Sequence, residues 1–277
     1  MGHQTRISLL KIFILIFCFV NTSCGGNVFQ ESASQSTDDA IFEAVQRATN
    51  DGDYAAAVAF INNNPGVVPS TREEKMIFGS ALAGNCGVTF TGLVDVIANN
   101  MISGTVVLYT MTSFSAITTN ANDCSRAQTI IESIGDVNSR TLSENLALFL
   151  LGFSKFGTFL KESADKVAPF GTVDGGFNAC TTSTATGLPL EDVKDMMSGL
   201  AMMLQTSPNL TTYLGTSLGT SLSAIQTACG DSCLQTDPSA IDESVPSVEA
   251  DILNFRKLIA SNESGVGGCA FVSCCPP

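Results

Sequence analysis

The chain reads as an all-α protein built from antiparallel helical pairs and braced by disulfides. Three observations predict this. Apolar residues recur at helical spacing through most of the chain, helix-capping signatures punctuate it, and an even set of cysteines follows an export-type N-terminus.

The N-terminus fixes the expected compartment. Arg6 and Lys11 give a basic head, Ile12 to Val20 is an unbroken apolar run, and Asn21-Thr22-Ser23-Cys24-Gly25 follows. A basic head, a short apolar middle and small residues before a break form a removable export signal. Nine apolar residues are too few to span the hydrocarbon of a bilayer. The segment resembles a bacterial lipoprotein signal, with Thr22 and Ser23 as the small residues before the lipid-bearing cysteine. Asn21 stands where that family usually has an aliphatic residue. The resemblance implies a signal over residues 1–23, cleavage before Cys24, and acyl chains such as palmitate on Cys24. Gly25 after the cysteine resembles the outer-membrane sorting pattern of enteric bacteria, which implies an address in the envelope around the periplasm. More than one acyl chain makes such an anchor stable. The competing expectation is an ordinary secretory signal with Cys24 in a disulfide. Residues 24–39, including the serine-rich Gln30 to Asp39, read as a flexible tether.

Removing Arg6 and Lys11 from the 13 basic residues leaves 11 against 26 acidic ones, a net charge of −15. That balance argues against nucleic acid as a partner and against electrostatic binding to anionic headgroups. The single histidine, His3, falls within the signal. A Ser-His-Asp or Cys-His nucleophile and imidazole metal ligation are thereby excluded from the mature chain.

Eight cysteines remain: Cys86, Cys124, Cys180, Cys229, Cys233, Cys269, Cys274 and Cys275. Their spacing does not form the paired CxxC sets of zinc sites, so no metal and no cofactor is expected. The pairing is open from sequence, with two local expectations. Cys229 and Cys233 are close enough to pair within a turn. The adjacent Cys274 and Cys275 pair outward and tie the tail to the body.

Residues 40–277 form the expected helical domain, with a possible internal boundary over 167–188. Ile41, Val45 and Ala48 mark a first helix, and Gly52-Asp53-Tyr54 opens a second that Asn62-Asn63-Asn64-Pro65-Gly66 ends. With Ala57 following, this resembles the tetratricopeptide (TPR) family, in which the glycine makes the turn, the tyrosine fills the space between helices and the alanine allows close backbones. No period of about 34 residues continues beyond it. Ser70-Thr71-Arg72-Glu73 reads as a capping box for a third helix ending near Gly87. Phe90 to Ala98 is a fourth candidate. Residues 101–117 fit strand or helix by propensity, with helix favoured by their neighbours. Ser125 to Ile134 is a further helix.

Thr141 to Lys166 is the expected core helix, with Thr141 and Glu144 as its capping box and an all-round apolar stretch from Leu146 to Phe153. Lys155 breaks that stretch. The Gly- and Thr-rich segment 167–188 is expected to be pinned through Cys180. Pro189 opens a helix striped by Val193, Met197, Leu200 and Leu204, and Ser207-Pro208 is expected to break it before a helix over 209–228. There Gly215 and Gly219 are expected to permit a close crossing, with Leu214, Leu218 and Leu222 packing beside them. Met196, Met202 and Met203 are candidate lining of an apolar ligand pocket, against the alternative that they fill the core. Ser247 to Ala260 is the last helix, and 265–277 a cysteine-rich strap.

Ser163-Ala164-Asp165-Lys166 fits the serine–lysine pattern of penicillin-binding enzymes without that family's other motifs. Asp51-Gly52-Asp53 lacks the later ligands of a calcium loop. The functional expectation is a non-enzymatic, membrane-anchored envelope lipoprotein that scaffolds a protein partner. The alternative is a binder of a small or apolar ligand in an interhelical pocket.

Overall fold

A computed structural model of the chain describes residues 37–88, 106–115, 117–214, 216–264, 266–270 and 273–275. Cys24, the signal, almost all of the tether, the candidate helix at Phe90 to Ala98 and Gly215 lie outside the described residues. Among the described residues there are nine α-helices, three short 3-10 turns, one isolated bridge and no strand. Residues 1–41 and 42–277 form separate units, and the described part of the first is the opening of α1. The helices are α1 (Asp38–Asn50), α2 (Tyr54–Asn63), α3 (Arg72–Cys86), α4 (Val106–Thr112), α5 (Ala121–Glu132), α6 (Leu142–Ala164), α7 (Leu190–Leu214), α8 (Thr216–Cys229) and α9 (Pro246–Ala260).

Local chemistry sets the helix ends. Asp53 caps α2 by accepting from the Ala56 N–H at 3.0 Å. The capping box of α3 lies one residue later than expected: Thr71 accepts from the Glu74 N–H, and Glu74 accepts from the Thr71 N–H. Ser70 also donates to Glu74, through its N–H at 2.7 Å, so the serine joins the cap without being its centre. Gly87 ends α3 at φ +116°, a conformation that disfavours any side chain. At α6 the box is where the sequence puts it, on Thr141 and Glu144. Residues 106–112 are helical, as their setting implied.

Side-chain pairings give the directions of the helices. Along α3 and α5, Cys86 bonds Cys124, Asn85 meets Asp123, and Lys75 reaches the Ser133 carbonyl. Rising numbers on one helix meet falling numbers on the other, so the pair is antiparallel. The same holds for α6 and α7, where Ser163 meets Asp192, Lys155 meets Asp195 and Ser198, and Gly152 meets Gly199. Tyr54 at the start of α2 fills the gap against Gly84 near the end of α3, where a Cβ would sit 2.0 Å from the ring. Ala57, three residues after Tyr54, is fully buried.

The core is centred on α6, which is buried all round from Leu148 to Leu160. Phe149 and Phe153 lie within it, Phe114 packs on Phe153 with ring centroids 6.1 Å apart, and Phe156 meets Phe255 of α9 edge-on at 6.0 Å. No helix among the described residues is long and apolar enough to cross a membrane. Gly152 and Gly199 let α6 and α7 approach backbone to backbone. A Cβ on Gly152 would lie 2.5 Å from the Gly199 carbonyl oxygen, and one on Gly199 would lie 2.8 Å from that of Gly152. Gly152→Ala is therefore expected to cost about 1–3 kcal/mol through overpacking, more than the ~1 kcal/mol alanine gains in helix propensity. Urea midpoints test this, with Gly66→Ala, where nothing lies within 4 Å, as the neutral control.

One expected break is absent. The chain does not stop at Ser207-Pro208 but continues as α7 to Leu214, and a new helix opens at Thr216. Proline cannot donate to the Leu204 carbonyl four residues back. The Ser207 hydroxyl takes that place, donating to Leu204 O at 3.1 Å. Side chains over 211–221, including Leu214, Leu218 and Gly219, lie outside the description; Leu222 is buried.

Four disulfides join Cys86–Cys124, Cys180–Cys275, Cys229–Cys233 and Cys269–Cys274. Cys229 and Cys233 pair within their turn, and the adjacent Cys274 and Cys275 diverge to different partners. Cys180 does pin the 167–188 segment, and it has help. Asp165 accepts from the Gly171 N–H, Asp174 from the N–H groups of Lys166 and Val167, and Arg256 donates to the carbonyls of Ala179 and Thr181. Arg256, in the last turns of α9, is buried against this loop.

Candidate functional site

The described cleft with the richest chemistry opens where four helix ends meet. It has a volume of about 400 Å³. Asn85 comes from the end of α3, Thr119 and Asn120 from the segment before α5, Glu162 from the end of α6, and Asp192 from the first turn of α7; Phe159 supplies an apolar wall. The Cys86–Cys124 disulfide fixes the α3 and α5 ends, and Thr158 of α6 donates to the Cys86 carbonyl at 2.9 Å. The cleft is thus held by covalent and buried polar ties.

Each carboxylate has a definite local role. Asn120 precedes α5 without a side-chain cap bond, and Glu162 accepts from the Ala121 N–H at 3.3 Å and from Thr119 at 3.4 Å. A residue from α6 thereby serves an open N-terminal amide of α5. Asp192 accepts from the buried Ser163 hydroxyl at 2.9 Å. Burial holds both carboxyls above their ordinary range, against the Ala121 hydrogen bond at Glu162 and the Ser163 hydrogen bond at Asp192. Asp195 adds like charge at Asp192, and Asp192 adds it at Glu162. Two acids placed where their charge is disfavoured invite a ligand that supplies donors or a positive charge.

The pH dependence has a definite sign. A carboxyl with a raised folded pKa stabilises the fold fully below its ordinary value, 4.5 for Glu162 and 3.8 for Asp192. That contribution is lost as pH rises through the folded pKa. The Glu162→Gln/Asp192→Asn double variant is expected to flatten the fall in stability between about pH 4 and 7, by ~0.5 kcal/mol or less because solvent screens the exposed Glu162. Urea midpoints across that range give the slope.

The sequence candidates lie elsewhere. Met196, Met202 and Met203 are all buried in the core along α7, and Met202 and Met203 pack against Gly152. None of them lines this cleft or a second one of about 420 Å³ at Ser232, Gln235 and Asp251. In that second cleft the Asp251 carboxylate already accepts from the Ser232 N–H and hydroxyl, which saturates one of its oxygens. The serine–lysine motif is not assembled: Ser163 bonds Asp192, while Lys166 donates to the carbonyls of Thr184 and Ala185. Among the described residues no group of three or more His, Cys, Asp or Glu side chains could hold a metal ion.

A second polar cluster was missed by the sequence. Lys155, the residue that interrupts the apolar run of α6, is 0% exposed. Its Nζ donates to Asp195 at 2.7 Å, to Gln128 Oε1 at 2.7 Å and to the Ser198 hydroxyl at 2.6 Å. Ser125 also donates to Asp195, at 2.9 Å, and Gln128 Nε2 donates to the Thr236 carbonyl. Burial pushes the Lys155 ammonium down from its ordinary pKa, and the Asp195 charge opposes that shift. A lysine in an apolar run signals either a break or a buried partner; only the fold supplies Asp195, 40 positions further along.

No protein-family model matches the chain, and comparison with curated proteins and with solved structures returns no match.

Proposed function

We propose that the protein is an exported, lipid-anchored envelope protein that acts by binding, and that the cleft between Glu162 and Asp192 is its binding site. The observation that carries this reading is that Glu162 and Asp192 face one cleft on a wall of amide and hydroxyl groups, held by the Cys86–Cys124 disulfide. Such a wall suits a small polar ligand bearing a cationic or hydroxyl group, including a basic side chain of a protein partner. The four disulfides fit an oxidising compartment, in keeping with export. The lipoprotein-like signal is the support for a lipid on Cys24 and for the outer membrane as its address.

A second reading, the scaffold for a protein partner, is favoured by Val167 and Phe170. They are 67% and 55% exposed on the loop that Cys180 pins. A rigidly held loop with exposed apolar tips suits docking.

Titration of the oxidised protein with primary amines, guanidinium compounds and polyols, followed by NMR, tests the first reading. Saturable shifts at Asn85, Asn120 and Asp192 are expected, abolished in Glu162→Gln/Asp192→Asn. Shifts confined to residues 167–170 on addition of envelope extract would favour the scaffold instead. Metabolic labelling with palmitate, lost in Cys24→Ser, tests the anchor.

A further inference from the structure

We propose that Lys155 and Gln128 form an intramolecular isopeptide bond, with Asp195 moving the protons. The argument starts from the geometry of the buried cluster. Lys155 Nζ lies 2.7 Å from Gln128 Oε1, one bond from the amide carbon, and 2.7 Å from Asp195 Oδ1. The Ser198 hydroxyl donates to Gln128 Oε1 at 3.3 Å, and Gln128 Nε2 is held on the Thr236 carbonyl. Nucleophile, electrophile, proton carrier and oxyanion donor thus converge on one amide. Lys155, Gln128 and Ser198 are all buried, which keeps out the water that would compete for the amide.

The step balances without any added reagent. Asp195 takes a proton from the Lys155 ammonium, and the freed amine attacks Gln128 Cδ. The charge that develops on Oε1 is met by the Ser198 hydroxyl. Protons from the new nitrogen and from Asp195 pass to Nε2, the Cδ–Nε2 bond breaks, and ammonia leaves as ammonium. What remains is a neutral secondary amide between Lys155 and Gln128, with Asp195 again a carboxylate. Burial favours the amine form that the attack requires.

The energetics give the arrangement a reason. A buried ion pair is seldom more stabilising than apolar residues of equal volume. Forming the amide removes the buried ammonium and ties α5 to α6, while the Asp195 carboxylate that remains is partly exposed and keeps the Ser125 hydroxyl as a donor. The chemistry is also of a kind with the rest of the molecule, in which the Cys86–Cys124 bridge already joins α3 to α5.

Mass spectrometry of the full chain, reduced and denatured, tests the bond. The expected mass is lighter by one ammonia than the processed sequence. Trypsin is expected to release residues 127–140 joined to 141–161, with cleavage after Lys155 blocked. Asp195→Asn, which preserves shape, is expected to lose the cross-link, as is Lys155→Arg. An unmodified mass with separate peptides overturns the proposal. So does loss of water instead of ammonia, which would place the amide on Asp195, or a gain matching hydrolysis of Gln128. A cross-link undiminished in Asp195→Asn removes Asp195 from the proton transfer. The wild-type mass decides the bond whether or not a variant folds.

Discussion

Measured against the chain in which the Lys155 ammonium still faces Asp195, Lys155→Ala is expected to lower the stability of the fold by about 3–5 kcal/mol, the usual result of removing one partner from a buried ion pair. The substitution strands three groups together. Asp195, with a side chain only 20% exposed, loses its counter-charge, and Gln128 Oε1 and the Ser198 hydroxyl lose their donor. It also opens a void beside α7 at the level of Ser198, next to the Gly152–Gly199 crossing. The measurement is a urea midpoint for Lys155→Ala, Asp195→Leu and a double variant carrying Lys155→Met with Asp195→Leu. The double variant should recover most of the loss, because no charge is left unpaired. Losses that simply add would show that the two residues act independently, and would remove the ion pair from the account.

Replacing Cys180 and Cys275 together by serine should cost about 2–4 kcal/mol, the typical worth of a bridge closing a long loop. The two cysteines stand 95 positions apart, so the bridge constrains much of the unfolded chain. The native body, however, keeps other ties on the 167–188 segment: Asp165, Asp174 and Arg256 still bind its backbone. The outcome should be a lower melting temperature with helical signal retained at 25 °C, and faster amide exchange confined to the segment and the tail. Exchange rising equally in α6 would mean that the bridge supports the core as well.

Much of this architecture was legible in the sequence because its signals are local. A threonine three residues before a glutamate marks a helix start wherever it lies, and Thr141 with Glu144 does so to the residue. The α3 start slipped by one because Ser70 and Thr71 both offer hydroxyls and Glu73 and Glu74 both offer carboxylates. Pro208 misled for a related reason: a proline signals a break only when nothing replaces its missing donor, and Ser207 replaces it. The charged residues were hardest. Lys155 and Arg256 look like surface groups from sequence, and both are buried against partners on other elements. Glu162 and Asp192 are 30 positions apart and share a cleft only because α6 and α7 run antiparallel. No spacing rule reports a pairing made by tertiary packing.

The order in which the cysteines reach an oxidising compartment bears on how they find one another. Cys86 meets its partner after 38 residues, but Cys180 must wait while four other thiols are made. Cys229 can be consumed by Cys233 after four residues and Cys269 by Cys274 after five. If these two tiny loops close first, as their short separations favour, they remove the rival thiols and leave Cys275 for the waiting Cys180.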